Sequence, residues 1–426
     1  FMGRKSLGID ISDGCITGVV LEQQRKAPVL ISRLNLPLPE GADCAAVIRD
    51  VCAQLEWREG VCVCGLPFSM LSVRNLILPF NDVKKIAQAL PFELEEQLIV
   101  PLDAVTYDFC PSRRTDQGSL IVAFAVEKEL LGGLLEAFQG AADPDAARPA
   151  MAALADQISA RSRDGGNFLV AHADLHSTTM AFVVDKVPIF YRRLSHPEQM
   201  ILHPPFVFVD GEATVVNAEA AEECVRLLSQ AIGRSLDYFR TESREQEPPE
   251  RVLLAGPLAG VEGMADILAS SLGLPVEMVD LLRLARISCT AEQREQWRNS
   301  HDDRALALSL QGLKKGGVNL RRQAFAKKRS FYASRKQLVA AVAAVVLLLA
   351  CGLGYTANDY RRLQRRDKAL GDEMTAIFKS AFPGVVKIQD PYVEMQSRLK
   401  AAHGPGAPTP MVLADRRTLD LLADVS

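Results

Sequence analysis

LGIDISDGCITGVVL, residues 7–21, is the stretch on which the fold turns. LGIDI and CITGVVL are runs of strand-forming residues, and SDG between them supplies a turn. A second unit of this kind spans residues 168–184, FLVAHADLHSTTMAFVV, and continues through 187–194. A third strand at 251–254 runs into Ala255-Gly256-Pro257 and then a predicted helix over 261–272. Another helix is predicted over 221–239, where Leu227, Leu228, Ala231, Ile232, Leu236 and Phe239 recur at helical spacing. Strands alternating with helices predict an α/β class.

Outward from these units lies LVAAVAAVVLLLACGLGY, residues 338–355, which contains no charge. Its 18 residues nearly cross a hydrocarbon layer of roughly 30 Å. Leu338, Val345, Leu348 and Tyr355 mark the predicted membrane span, a buried core helix being the competing reading. Before it, residues 314–336 hold nine lysines and arginines and no acid. After it, Arg361, Arg362, Arg365, Arg366 and Lys368 mix with Asp359, Asp367, Asp372 and Glu373. The denser basic flank predicts a cytoplasmic N-terminal part, with the basic stretch against anionic lipid headgroups. A nucleic-acid patch competes with that reading, but its place beside the apolar run argues against it.

The 426 residues are too many for one ordinary domain, and a net charge of −3 argues against a general nucleic-acid binder. Eight of the nine cysteines precede the apolar run, one lies inside it and none follows, which suits a reducing compartment for the N-terminal part. Residues 3–14 are too polar and too short for a signal peptide core. The sequence opens Phe1-Met2 and stops at Ser426 inside a predicted helix, so an extra residue ahead of the natural start and a shortened end are expected.

No catalytic constellation stands out. Cys62 and Cys64 alternate within an apolar strand without a second ligand pair at zinc spacing, so they are read as core. His172 and His176 are four apart but lie in a strand and its turn, where that spacing does not converge on a metal. Glu93, Glu95 and Glu96 form an acidic helix face, solvated or open to a basic partner. Nucleophile-elbow, zincin and phosphate-loop motifs do not occur. No metal and no cofactor are expected.

Two hairpins far apart plus a late strand-Gly-helix resemble the actin, hexokinase and Hsp70 superfamily, most closely its pilus-assembly PilM branch. The matching pieces are LGIDIS at 7–12, LPF at 90–92 within FELEEQLIVPLDAVTYDF, RSLDYFR at 234–240, LLAGPLAGVEGMADILASSLGLPVE at 253–277 and ALALSLQGL at 305–313. The resemblance implies a two-lobed body in which hairpin turns hold nucleotide phosphates. This chain departs from it. Asp174-Leu175-His176 places an imidazole where a glycine should admit a phosphate. Gly256-Pro257 removes a backbone donor, and Asp13 follows Asp10 and Ser12 with an acid at the phosphate position. The nucleotide cleft near Asp10, Ser12, Asp174, His176 and Gly256 is therefore expected to be degenerate, a weak residual site being the alternative.

GVNLRRQAFA at 317–326 and FPGVVKIQDPYVEMQSRL at 382–399 resemble type II secretion protein L, the GspL family. That resemblance implies an actin-like cytoplasmic domain over 1–313, a basic juxtamembrane linker over 314–336 and a transmembrane helix over 337–356. It further implies a periplasmic helical segment over 357–400, then a linker and the start of an incomplete ferredoxin-like α+β domain over 401–426. It implies a single-pass inner-membrane scaffold, not an enzyme. The implied partners are a GspE-like secretion ATPase, a GspM-like inner-membrane protein, a second copy of the chain and membrane lipids, with no nucleic acid. Two other readings stay open: a membrane-tethered nucleotide switch, and a type IV pilus assembly protein joining PilM-like and PilN-like parts. Positions 360, 363, 367, 370, 374 and 377 are apolar at heptad spacing except Asp367, as in a short coiled coil or a helix packed on its own chain.

Overall fold

A computed structural model describes residues 3–402 apart from 13, 26, 40, 117, 163–164, 203, 210–211, 243–247, 315, 328–334 and 384–389. The chain forms two compact units, Phe1–Lys328 and Arg329–Ser426.

The first unit is built from one sheet plan used twice. The first sheet takes β1 (Lys5–Ser12), β2 (Cys15–Gln23), β3 (Pro28–Pro37), β4 (Val61–Leu66) and, after the small sheet of β5 (Leu71–Leu78), β6 (Val105–Thr115) and β7 (Gly118–Glu127), also β8 (Ala146–Pro149). Its order is β3-β2-β1-β4-β8. The second sheet takes β9 (Phe168–Ala173), β10 (Ser177–Val184), β11 (Val187–Ser195) and, after the ribbon of β12 (Phe206–Val209) and β13 (Glu212–Val215), β14 (Arg251–Ala255) and β15 (Val276–Met278). Its order is β11-β10-β9-β14-β15. In each, three antiparallel strands lead into two parallel ones. Both predicted hairpins are present, in registers Ser12↔Cys15 and Thr178↔Ala173.

Helices pack on these sheets, and the inner strands β1, β2, β4, β9, β10 and β14 are buried for most of their length. The first half carries α1 (Cys44–Gln54), α2 (Val83–Gln97), α3 (Lys128–Ala137) and α4 (Ala150–Ser159). The second carries α5 (Glu198–Leu202), α6 (Ala218–Glu242), α7 (Met264–Leu272), α8 (Leu281–Leu284), α9 (Ala291–Gln296) and α10 (Asn299–Leu313). α4 and α10 pack together between the two sheets, α10 against β1, β2 and β4, and α4 against β10 and β11. Every residue of α10 from Asp302 to Gly312 is buried. Gly8 lets α10 approach β1, since a Cβ there would stand 2.1 Å from the Ala305 carbonyl oxygen. The predicted helix over 221–239 is α6, and Leu228, Ile232, Leu236 and Phe239 line its buried stripe. The helix predicted from 261 begins later, at Met264, because Pro257–Gly260 form a 3-10 turn first.

The expected linker over 314–336 differs from what forms. Leu320 is fully buried and Val318 nearly so. The Leu320 amide donates to Ala147 O (2.8 Å), so this strap covers the outer edge of β8. Asn319 N donates to Asp108 (2.8 Å), Arg322 pairs with Asp108 (2.8 Å), and Arg321 pairs with Asp143 (2.6 Å). Lys327 pairs with Asp145 (3.0 Å) and Asp143 (3.4 Å). Three of the nine cations predicted to face headgroups are thus ion-paired to the body, and the globular unit reaches to Lys328 rather than Leu313. The cause is an unpaired sheet edge with acids of β6 and of the loop before β8 beside it, neither visible as a local signal in 314–327.

In the second unit, α11 (Arg335–Ala381) is one helix of 47 residues, followed by α12 (Pro391–Ala402). It is the helix long and apolar enough to cross a membrane among the described residues, with a mean hydropathy of 2.3 in its most apolar window and no residue of that window buried. The expected boundary at 356 between span and helical segment has no break in the backbone. Gly352, Gly354 and Gly371 each cost a helix only about 1 kcal/mol, and no proline intervenes before Pro383. Phe378 is fully buried and packs on Phe382 (5.2 Å), over which Arg398 of α12 lies at 5.2 Å. Of the heptad positions, Tyr360, Leu363, Leu370 and Ile377 stay exposed. The linker and incomplete domain expected over 401–426 lie outside the described residues beyond 402.

Candidate functional site

The ends of β1 and β9 bring the two hairpin turns together. Asp10 and Ser12 come from the first, and Ser12 Oγ donates to Asp10 Oδ2 (2.8 Å). Asp174 follows β9, its amide closing the second turn on Ser177 O (2.9 Å). The group between them is Arg304, projected from the buried face of α10. Its Nε donates to Asp10 Oδ2 (3.0 Å), and its Nη2 donates to Asp174 Oδ2 (3.2 Å) and to Ser12 Oγ. Asp10 is 1% exposed and Arg304 8%. Burial pulls the guanidinium down, but Asp10 and Asp174 outweigh it, and Arg304 is held above its usual range.

The same helix turn ties other elements in. Asp302 accepts both Nε and Nη2 of Arg33 from β3 at 2.9 Å, and the Arg298 amide at 2.8 Å. Burial nevertheless pushes its carboxyl up. Asp303 accepts the Leu281 amide at the start of α8 (3.1 Å), and burial pushes it well up. Cys15 lies 3.7 Å from His301 Nδ1 and accepts from Asn35 Nδ2 (3.4 Å), and burial pushes its thiol up.

The predicted site residues are thus divided. Asp10, Ser12 and Asp174 converge. His176 does not enter: it is exposed at its turn, and the residue facing Gly14 of the first hairpin is Leu175, whose Cδ1 would lie 3.5 Å from a Cβ added there. The group that stands between the two hairpins is the Arg304 guanidinium, which comes from another element. Asp13 lies outside the described residues. Gly256 (φ +93) serves packing, because a Cβ there would stand 2.5 Å from Ala173 O and 2.9 Å from His172 Cε1. His172 is buried in β9, and burial with the nearby Arg304 charge holds its pKa well down. His196, unremarked in the sequence, pins the second turn through Leu175 O (3.0 Å) and Thr178 Oγ1 (2.8 Å).

Cys62 and Cys64 are buried in β4, and burial pushes Cys64 up to about 12. Among the described residues no group of three or more His, Cys, Asp or Glu is placed to hold a metal. Glu93, Glu95 and Glu96 are exposed on α2. In α11, Val345, Leu348 and Tyr355 are exposed, and Leu338 lies in its first turn.

The PilM–PilN type IV pilus biogenesis complex has a chain that superposes on this one with a TM-score of 0.60 at 22% identity, covering 73% of this chain and 99% of that one. The body has an actin-like fold. The cytoplasmic domain of EpsL, an inner-membrane component of the type II secretion system of Vibrio cholerae, shares 13% identity at a TM-score of 0.41, covering 75% of this chain and 99% of its own. No family profile and no curated protein matches the chain.

In an actin-like body a nucleotide would lie between these hairpins, and the residues present do not fit one. Arg304 bridges both carboxylates, Leu175 closes on Gly14, and Gly256 is packed against β9.

Proposed function

We propose that the chain is a non-enzymatic, membrane-tethered scaffold of a type II secretion or type IV pilus apparatus, of the GspL kind, which holds a secretion ATPase at the inner membrane. The observation that carries this reading is the Arg304 bridge. An actin-like body whose two cleft carboxylates are bridged by its own arginine is suited to present surfaces rather than to cycle with a ligand. The apolar stretch of α11 supports the anchoring, and the basic flank supports a cytoplasmic body with the far end periplasmic. The scaffold would take the ATPase on the body, and a GspM-like protein and a second copy along the helical part.

The test uses the full chain in detergent with a purified GspE-like secretion ATPase from the same organism. A complex of roughly micromolar affinity is expected, and its absence overturns the reading. One observation favours a nucleotide switch instead: Asp10 Oδ1 is buried and has no hydrogen-bond partner among the described residues. Calorimetry with Mg-ATP separates the two, since heat of binding abolished by Asp10→Ala would replace the scaffold reading with the switch.

A further inference from the structure

Two cavities of the first unit share Asp280 and Leu284 in their walls. The larger, about 640 Å³, is walled by Arg161, Arg283 and Arg286. The smaller, about 270 Å³, mixes Ile158, Leu253, Met278 and Val279 with the charged Arg251 and Glu277. Neither is lined by Asp10, Ser12 or Asp174, so this place is separate from the cleft.

Three guanidiniums on one concavity repel one another unless an anion sits among them. Asp280, the one carboxylate among the described residues lining the larger cavity, feels the Arg283 charge but offers a single negative charge to three guanidiniums, and it is shared with a fourth. It is held by both Nη atoms of Arg294 and by the Arg283 amide (2.9 Å). Among the described residues the Arg161 side chain donates to neutral oxygens of Gln157 alone, at 3.1 and 2.6 Å. Arg283 and Arg286 make no side-chain hydrogen bond or ion pair among the described residues, and both are exposed. Arg286 also holds a left-handed backbone (φ +52), which a glycine would adopt without strain, yet the position carries a cation.

We propose that these joined cavities bind an organic phosphate. The dianionic group lies on the Arg161–Arg283–Arg286 wall, whose planar forks match phosphate oxygens two at a time. A short apolar substituent enters the slot beside Leu253 and Met278. A monocarboxylate would leave most of the wall's charge unanswered, and a free inorganic anion would leave the slot unused. The phosphate is either a free ester or the headgroup of a phosphomonoester lipid; both present the same dianion.

The test is calorimetric titration of phenyl phosphate into the full chain in neutral phosphatidylcholine nanodiscs. Saturable binding is expected, weakening as ionic strength rises. Arg283→Ala/Arg286→Ala should weaken it at least about tenfold, and both side chains are exposed enough for the variant to fold. Met278→Ser should weaken phenyl phosphate and leave pyrophosphate unchanged. Nanodiscs containing phosphatidic acid assign the source: competition with phenyl phosphate identifies the lipid, and its absence identifies a free ester, either result supporting the site. Absence of saturable binding, equal affinity in the double-arginine variant, or phenol binding as tightly as phenyl phosphate would each overturn the proposal.

Discussion

Removing the Arg304 guanidinium would leave the buried carboxylates of Asp10 and Asp174 without the cation that bridges them. Breaking a buried pair on one side costs about 3–5 kcal/mol, so Arg304→Ala should destabilise the body by that amount in chemical denaturation. Because two opposed carboxylates suit a hard divalent cation, added Mg²⁺ should raise the melting temperature of Arg304→Ala and leave the parent chain unchanged. Asp156 offers a separate test. Burial pushes its carboxyl up to about 6, against the charge of Arg148 and the Gln311 hydrogen bond. Between about pH 4 and 6 the folded chain keeps a proton the unfolded chain has released, so Asp156 makes stability fall as pH rises through that window. Asp156→Asn should therefore gain on the parent as pH rises from 4 to 7, by about 2–3 kcal/mol in urea titrations. Neither group was singled out from the sequence. Asp302-Asp303-Arg304 was the available signal: three charges opening a helix otherwise read as apolar, which demand partners if the helix is buried.

The strap over 316–327 and the long α11 are where element boundaries moved. A chain ending at Leu313 should melt lower and aggregate more than one ending at Lys328, because the first exposes the β8 edge and the site of the fully buried Leu320. Leu320→Ala alone should cost about 2–5 kcal/mol by thermal or chemical unfolding. In α11, Val345→Arg should weaken membrane integration by about 2.5–3.5 kcal/mol, read as release from membranes by alkaline carbonate wash. Loss of the parent protein itself under that wash would refute the span. The hairpins and the apolar run were legible because each carries its own periodicity or length. The strap was not, because its residues resemble any basic linker until the acids at 108, 143 and 145 are placed beside it.

Across the whole chain, the repeated sheet plan accounts for the architecture. Helices pack on each sheet, and α4 and α10 fill the space between the sheets, so hairpin strands, central helices and outer helices all read as apolar runs of the right period. Those local patterns were sufficient for the α/β class, the hairpins at 7–21 and 168–184, and an 18-residue stretch suited to lipid, since backbone propensity and burial act over neighbouring residues. They could not reveal that a side chain 294 positions from Asp10 bridges the cleft, that cations at 321, 322 and 327 face the body, or that arginines in and just after α8 meet one just after α4 on a single cavity. Charge pairing is decided by distance in space, and that distance exists only once the chain has folded.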